Sequence, residues 1–225
     1  MAITADRKDI QREPLSRERI LKTALRLTDE EGLEGLSMRR IAGELDATPM
    51  ALYNHVPNKE ALLTGVVSLL LDELDLSMLD PSDPPRSLKL GFNEFRKALL
   101  RHPNLLPIIC RRSDWTPDSM RPIELALALL HSMGFSDEEA VRAHWALTGI
   151  TLGHVMWQMM TPMADGDEAA EQALAGKRML PVSDFPCIHA ALPFMEDCDM
   201  DAAFEFGIDS LIEGFKARLA AKAAV

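Results

Sequence analysis

Tyrosine occurs once in the 225 residues, and all aromatic residues together make up 5%. Alternating β-branched runs of the kind that mark half-buried strands are missing, which excludes an all-β fold. The three cysteines, Cys110, Cys187 and Cys198, are odd in number, and no two are spaced C-x-x-C. That excludes a disulfide-stapled framework and leaves free thiols in a reducing cytoplasm. The first fifteen residues, MAITADRKDIQREPL, contain no apolar stretch that could serve as a secretory signal. No G-x-S-x-G, H-E-x-x-H, P-loop or G-x-G-x-x-G motif occurs. The sequence therefore predicts a cytoplasmic protein that is not an enzyme and has no cofactor.

What is present is an ordinary globular balance: 47% hydrophobic residues, 26% charged, and a formal net charge of −11. An acidic chain is no generic polycation for nucleic acid or membrane. The charge is uneven, however. Residues 1–28 hold seven basic and four acidic side chains, whereas residues 61–225 hold 14 and 24. Nucleic acid, if bound, is met at the N-terminal end. The stretch 143–164 (AHWALTGITLGHVMWQMMTPMA) lacks Asp, Glu, Lys and Arg. It still carries His144, Thr148, Thr151, His154, Gln158 and Thr161, which are expensive in hydrocarbon, so no membrane span is expected.

Apolar residues recur at three and four, predicting an all-α fold. A basic arm over 1–15 precedes a helix capped by Ser16, with Ile20, Leu21, Ala24, Leu25 and Leu27 on one face and Gly32 as its stop. Ser37 caps a short second helix with Met38, Ile41, Ala42 and Leu45 inward. A turn through Leu45-Asp46-Ala47 leads to a third helix at Thr48, with Pro49 in its first turn. Such a turn often needs positive φ, which Asp46 tolerates less readily than Gly. A fourth helix from about Asn58 to Leu76 is apolar on more than one face, as expected of a helix shared by two bodies. Further helices are expected at 85–102, 104–110, 116–133, 136–160 and 201–222. Residues 161–200 read as less regular, with one helix at 167–175. The expected domains are a head at 16–62 and a larger body at 63–225.

Two short helices joined by a tight turn are a helix-turn-helix candidate. The run LSMRRIAGELDATPMALYNHVPNKEALL (36–63), preceded by ILKTALRLTDEEGLEGLS, resembles the TetR family of transcriptional regulators. The most specific part is LYNHVPNKE (52–60). F-R-x-A-L-L-x-H-P (95–103), M-G-F-S-D-E-E-A (133–140) and T-L-G (151–153) resemble the tetracycline-repressor-type C-terminal body.

In the third helix Leu52 and Val56 would face the head's core, leaving Thr48, Pro49, Met50, Ala51, Tyr53, Asn54 and His55 outside. Asn54 suits adenine, Thr48 several base edges, and Met50 and Ala51 a thymine methyl. Tyr53 and His55 suit phosphate oxygens. Lys59, at the start of the fourth helix, adds its charge to the helix dipole as a phosphate site, and Ser37 can act similarly. Arg39 is the candidate for a guanine contact, and Arg40 a surface charge. The resemblance implies DNA contact at Ser37, Arg39, Thr48, Met50, Tyr53, Asn54, His55 and Lys59. Arg7, Lys8, Arg12 and Arg17 are either further phosphate contacts or simply solvated charges.

The body is expected to dimerise and to hold an effector. Phe204, Ile208, Leu211, Phe215 and Leu219 form a spaced stripe, and Gly149 and Gly153 lie one turn apart. The alternative for both is ordinary internal core. Phe92, Phe95, Leu99, Trp115, Trp145, His154 and Trp157 are candidate pocket residues, with core packing the alternative. The resemblance implies a magnesium–drug site built from histidines and an amide, but the matching positions here hold Gly91, Ile109 or Cys110, and Trp157. A small apolar effector is expected instead. Cys187, His189 and Cys198 lack paired zinc-type spacing, so no metal is expected. The sequence thus predicts a homodimeric, ligand-responsive repressor. It would hold a near-palindromic double-stranded DNA operator and be released by a small apolar molecule. The alternative is an all-helical enzyme or small-molecule carrier with a non-functional head.

Overall fold

Ser16 turns an extended backbone into the first helix, its hydroxyl accepting from the Arg19 amide at 3.2 Å. The computed structural model describes residues 14–111, 116–160, 172, 175–196 and 198–224. The basic arm, Trp115 and most of the expected 167–175 helix lie outside that set. The described residues are mostly helical, with no strand among them. They belong to two compact units that divide between Leu69 and Leu70.

The first unit holds α1 (Arg17–Gly35), α2 (Met38–Glu44), α3 (Pro49–Tyr53) and most of α4 (Lys59–Asp72). Gly32, at φ 74°, breaks α1 where the sequence placed its end. Ile20, Ala24, Leu27, Ile41, Leu52, Val56, Leu62 and Val66 are fully buried there. Gly65 permits a close approach that the sequence reading missed. A Cβ at this position would lie 2.6 Å from a Leu21 methyl, so α1 and α4 pack nearly backbone to side chain.

The fourth helix stops at Asp72 rather than Leu76. Its apolar spacing continues, but local side-chain bonds win beyond it: Asp75 accepts from both the amide and the hydroxyl of Ser77. The second unit adds α5 (Pro84–Arg101), a 3₁₀ turn (Pro103–Leu105), α6 (Leu106–Arg111), α7 (Pro117–Ser132), α8 (Asp137–Met160), α9 (Pro186–Glu196) and α10 (Met200–Ala223). Gly134, at φ 104°, ends α7: its amide donates to His131 O and that of Phe135 to Leu130 O. Ser136 and Glu139 form the expected capping box at α8. The helix α9 was not expected, because Pro193 lies inside it.

One core joins α5, α7, α8 and α10 around Leu88, Phe92, Leu130, Leu147, Phe204 and Ile208. This corrects the reading of the C-terminal stripe. Phe204, Ile208 and Phe215 are buried within a single chain, with Leu211 packed against them. The α5–α7–α8 core needs an apolar lid, and the one stripe on α10 supplies it. Gly207 brings α10 close to α8, since a Cβ there would lie 2.7 Å from an Ile150 methyl.

Candidate nucleic-acid interface

The turn between α2 and α3 is built from backbone bonds around one left-handed residue. Leu45 closes α2, and Asp46 follows at φ 52°. The Ala47 amide then donates to Ala42 O at 2.9 Å and the Asp46 amide to Gly43 O at 3.4 Å. This is the paired bonding that satisfies the last carbonyls of a helix and reverses the chain. Thr48 immediately caps α3, accepting from the Ala51 amide at 3.2 Å, and Pro49 takes the first helical position.

The short α3 is anchored by Leu52 and by Val56 just beyond it, both buried. Its other side is open. Met50 is 73% exposed and Tyr53 44%, and Thr48, Pro49, Asn54 and His55 are exposed. Of the expected outward set, Ala51 alone is half-buried and the other six are exposed. Residues 48–55 contain no Lys or Arg. Arg39, on α2, is exposed and outside the ion pairs among the head's described residues. Arg40 is not: it donates to Glu31 at 2.6 Å and to Glu44 at 2.8 Å, and these carboxylates raise its pKa. Glu44 also pairs with Arg26, which bonds Glu30 in turn. This network ties α1 to α2 and neutralises two of the head's cations.

Two expected phosphate-site residues are partly occupied. The Lys59 ammonium donates to Leu36 O at 3.0 Å, which closes the α1–α2 loop and leaves two N–H donors. The Ser37 oxygen accepts from the Arg40 amide at 3.1 Å, leaving its own O–H free to donate. The N-cap of α4 is Asn58, whose side chain accepts from the Ala61 amide at 2.7 Å.

In the second unit the expected pocket residues separate. Phe92 and Leu99 are buried on α5, Phe95 packs against the core, and Phe92 meets His144 with 6.1 Å between ring centroids. His154 lies edge-on to Phe204 at 5.2 Å. Burial and the nearby Arg96 charge lower its pKa, against an opposing pull from Asp201. Trp145 and Trp157 require correction as pocket lining, because they are 68% and 66% exposed. They share the outer face of α8 with Gly149 and Gly153, beside which a Cβ would meet open space. The period placed these four on one helix but could not say which side the core would take. Of the residues weighed for metal, His189 bonds Leu180 O at 2.7 Å, and Cys187 and Cys198 are exposed. Arg96, buried on α5, was missed. Its signal was a cation one turn after Phe92 on an apolar face.

Residues 20–66 match the family described as bacterial regulatory proteins, tetR family. Residues 88–219 match the tetracyclin repressor-like C-terminal domain. The tetracycline repressor protein class D of Escherichia coli is 33% identical over 211 residues, 92% of this chain and 92% of that protein. The HTH-type transcriptional repressor DrrR1 of Streptomyces coeruleorubidus is 30% identical over 223 residues, 92% of this chain and 79% of that protein. The solved structure of apo ActR from Streptomyces coelicolor has a TM-score of 0.81 at 30% identity, covering 93% of this chain and 99% of its own. ActR in complex with actinorhodin gives 0.80 at 30% identity, over 92% of this chain and 99% of that one. With both its helix-turn-helix head and its helical body matched, the chain belongs to the TetR family of ligand-responsive, DNA-binding transcriptional regulators.

Proposed function

We propose that this protein is a homodimeric cytoplasmic repressor, not an enzyme, that holds a near-palindromic operator and leaves it when a small molecule enters the body. The observation that carries this reading is the surface of α3. Met50 and Tyr53 are exposed on α3, Asn54 and His55 are exposed just beyond it, and Leu52 and Val56 hold the segment from behind. A recognition helix presented in this way reads base edges in the major groove. Arg39 and Lys59 supply the flanking charge, and Ser37 and Thr48 supply hydroxyl donors. Two copies would meet successive half-sites about 34–36 Å apart, the spacing of one helical turn.

The dimer face in this reading is the outer side of α8, with Trp145, Gly149, Gly153 and Trp157, together with Phe206 of α10, which is 78% exposed. It replaces the internal Phe204–Ile208–Phe215 stripe. The repressor names among the relatives favour repression, and actinorhodin in ActR favours an organic effector held by the body. Phe92 packs against His144 and Phe204 against His154 within the body.

Selection of bound DNA from a random pool tests the reading. An enriched inverted repeat is expected, and binding to it should fall steeply with salt through counterion release. A pool without enrichment, or binding indifferent to salt, would remove the head from the mechanism.

A further inference from the structure

The apolar face of α5 carries one deeply buried cation. Arg96 follows Phe92 by one turn and is 4% exposed. A guanidinium taken out of water is costly unless its charge and its N–H groups are all met. Its Nη1 pairs with Asp201 Oδ1 at 2.7 Å, and its Nη2 donates to Gln158 Oε1 at 2.6 Å. The guanidinium carbon lies 5.0 Å from the Phe204 ring centroid, a cation–π contact. Nε is buried with no hydrogen-bond partner. With Nε unmet, the buried charge leans on the Asp201 pair and on Gln158.

The pair with Asp201 is lopsided. The Asp201 side chain is 79% exposed, so it is hydrated with or without Arg96. Arg96 is buried and depends on receiving an anion. A cavity of about 530 Å³ lies between α5 and the first turn of α10, and both residues line it. Leu90 and Leu100 give it apolar wall, and Asn93 a neutral amide. Its other carboxylates, Glu94 and Glu205, are each already held by a lysine, Lys97 and Lys89.

We propose that this cavity binds a small organic acid with an apolar body, whose carboxylate takes Arg96 over from Asp201. The incoming carboxylate takes the place of the Asp201 carboxylate on Nη1, a charge-assisted hydrogen bond of the same kind. Leu90 and Leu100 face the apolar body. Asp201 turns into water at little cost, and α5 loses its ion pair to the first turn of α10. The inference rests on the reading of the body as an effector sensor and names the effector's class: an apolar acid.

Calorimetric titration of the full chain with 1-naphthoate and with uncharged 1-naphthamide tests this. The acid is expected to bind and the amide not. Asp201→Asn removes the competing carboxylate, so acid affinity should rise about tenfold. The variant should also melt lower and be rescued by the acid more than wild type is. Equal binding of acid and amide, no acid binding at about 10 mM, or an Asp201→Asn affinity equal to or below wild type would overturn the proposal. Operator release by a neutral compound, with no acid binding, would sink this inference alone. Failure to bind any operator would sink the regulator reading, whatever the acid does.

Discussion

Asp46 offers a direct test of how the head is held. It is a non-glycine residue at φ 52°, and the bonds from Ala47 to Ala42 and from Asp46 to Gly43 require that conformation. Left-handed backbone costs an L-residue about 1–2 kcal/mol, less for Asp and Asn, whose side chains bond locally. Asp46→Val puts a branched Cβ where it is least tolerated, so a loss of about 2 kcal/mol is expected. For a chain of this size that lowers Tm by roughly 4–8 °C if the molecule unfolds as one. Asp46→Asn should be neutral, and Asp46→Gly should gain up to about 0.5 kcal/mol once glycine's extra unfolded-state entropy is subtracted. The turn also sets α3 against α2. Asp46→Val should therefore weaken operator binding even at temperatures where the protein is fully folded, and Asp46→Asn should not. Circular-dichroism melting and fluorescence anisotropy on the selected operator give the two readouts. If Asp46→Val melts like wild type and binds like wild type, the left-handed turn does not position the recognition helix.

Three further outcomes are expected. Arg39→Ala should weaken operator binding by about tenfold or more and relax base preference at one position, whereas Arg40→Ala should change little, since Glu31 and Glu44 already hold that charge; similar losses in both variants would refute the distinction. Phe206→Glu should yield a folded monomer by light scattering, whereas Phe204→Ala should cost about 3–5 kcal/mol of stability, because one ring is outside and the other in the core; a dimeric Phe206→Glu protein would move the interface elsewhere. Glu139 is held at a pKa of about 2, below its ordinary 4.5, first by the Ser136 amide and then by Lys222. Its contribution is complete above pH 4.5 and is lost as pH falls toward 2, so Glu139→Gln should flatten the decline in melting temperature across that window.

The head was legible in the residues alone. Ser16, Ser37 and Thr48 cap helices, Asp46 turns left-handed and Leu52 and Val56 face inward, as their local pattern required. These signals are short-range: a cap or a turn is decided by atoms within four residues of itself. The body depended on how its helices pack. Periodicity marks an apolar stripe but not the partner that will cover it. Hence Phe204, Ile208 and Phe215 became internal core, while Trp145 and Trp157 stayed outside. The close approaches at Gly65 and Gly207, and the burial of Arg96 beneath Asp201, are likewise contacts between residues distant in sequence. They exist only once helices pack, because burial depends on which surfaces meet in space.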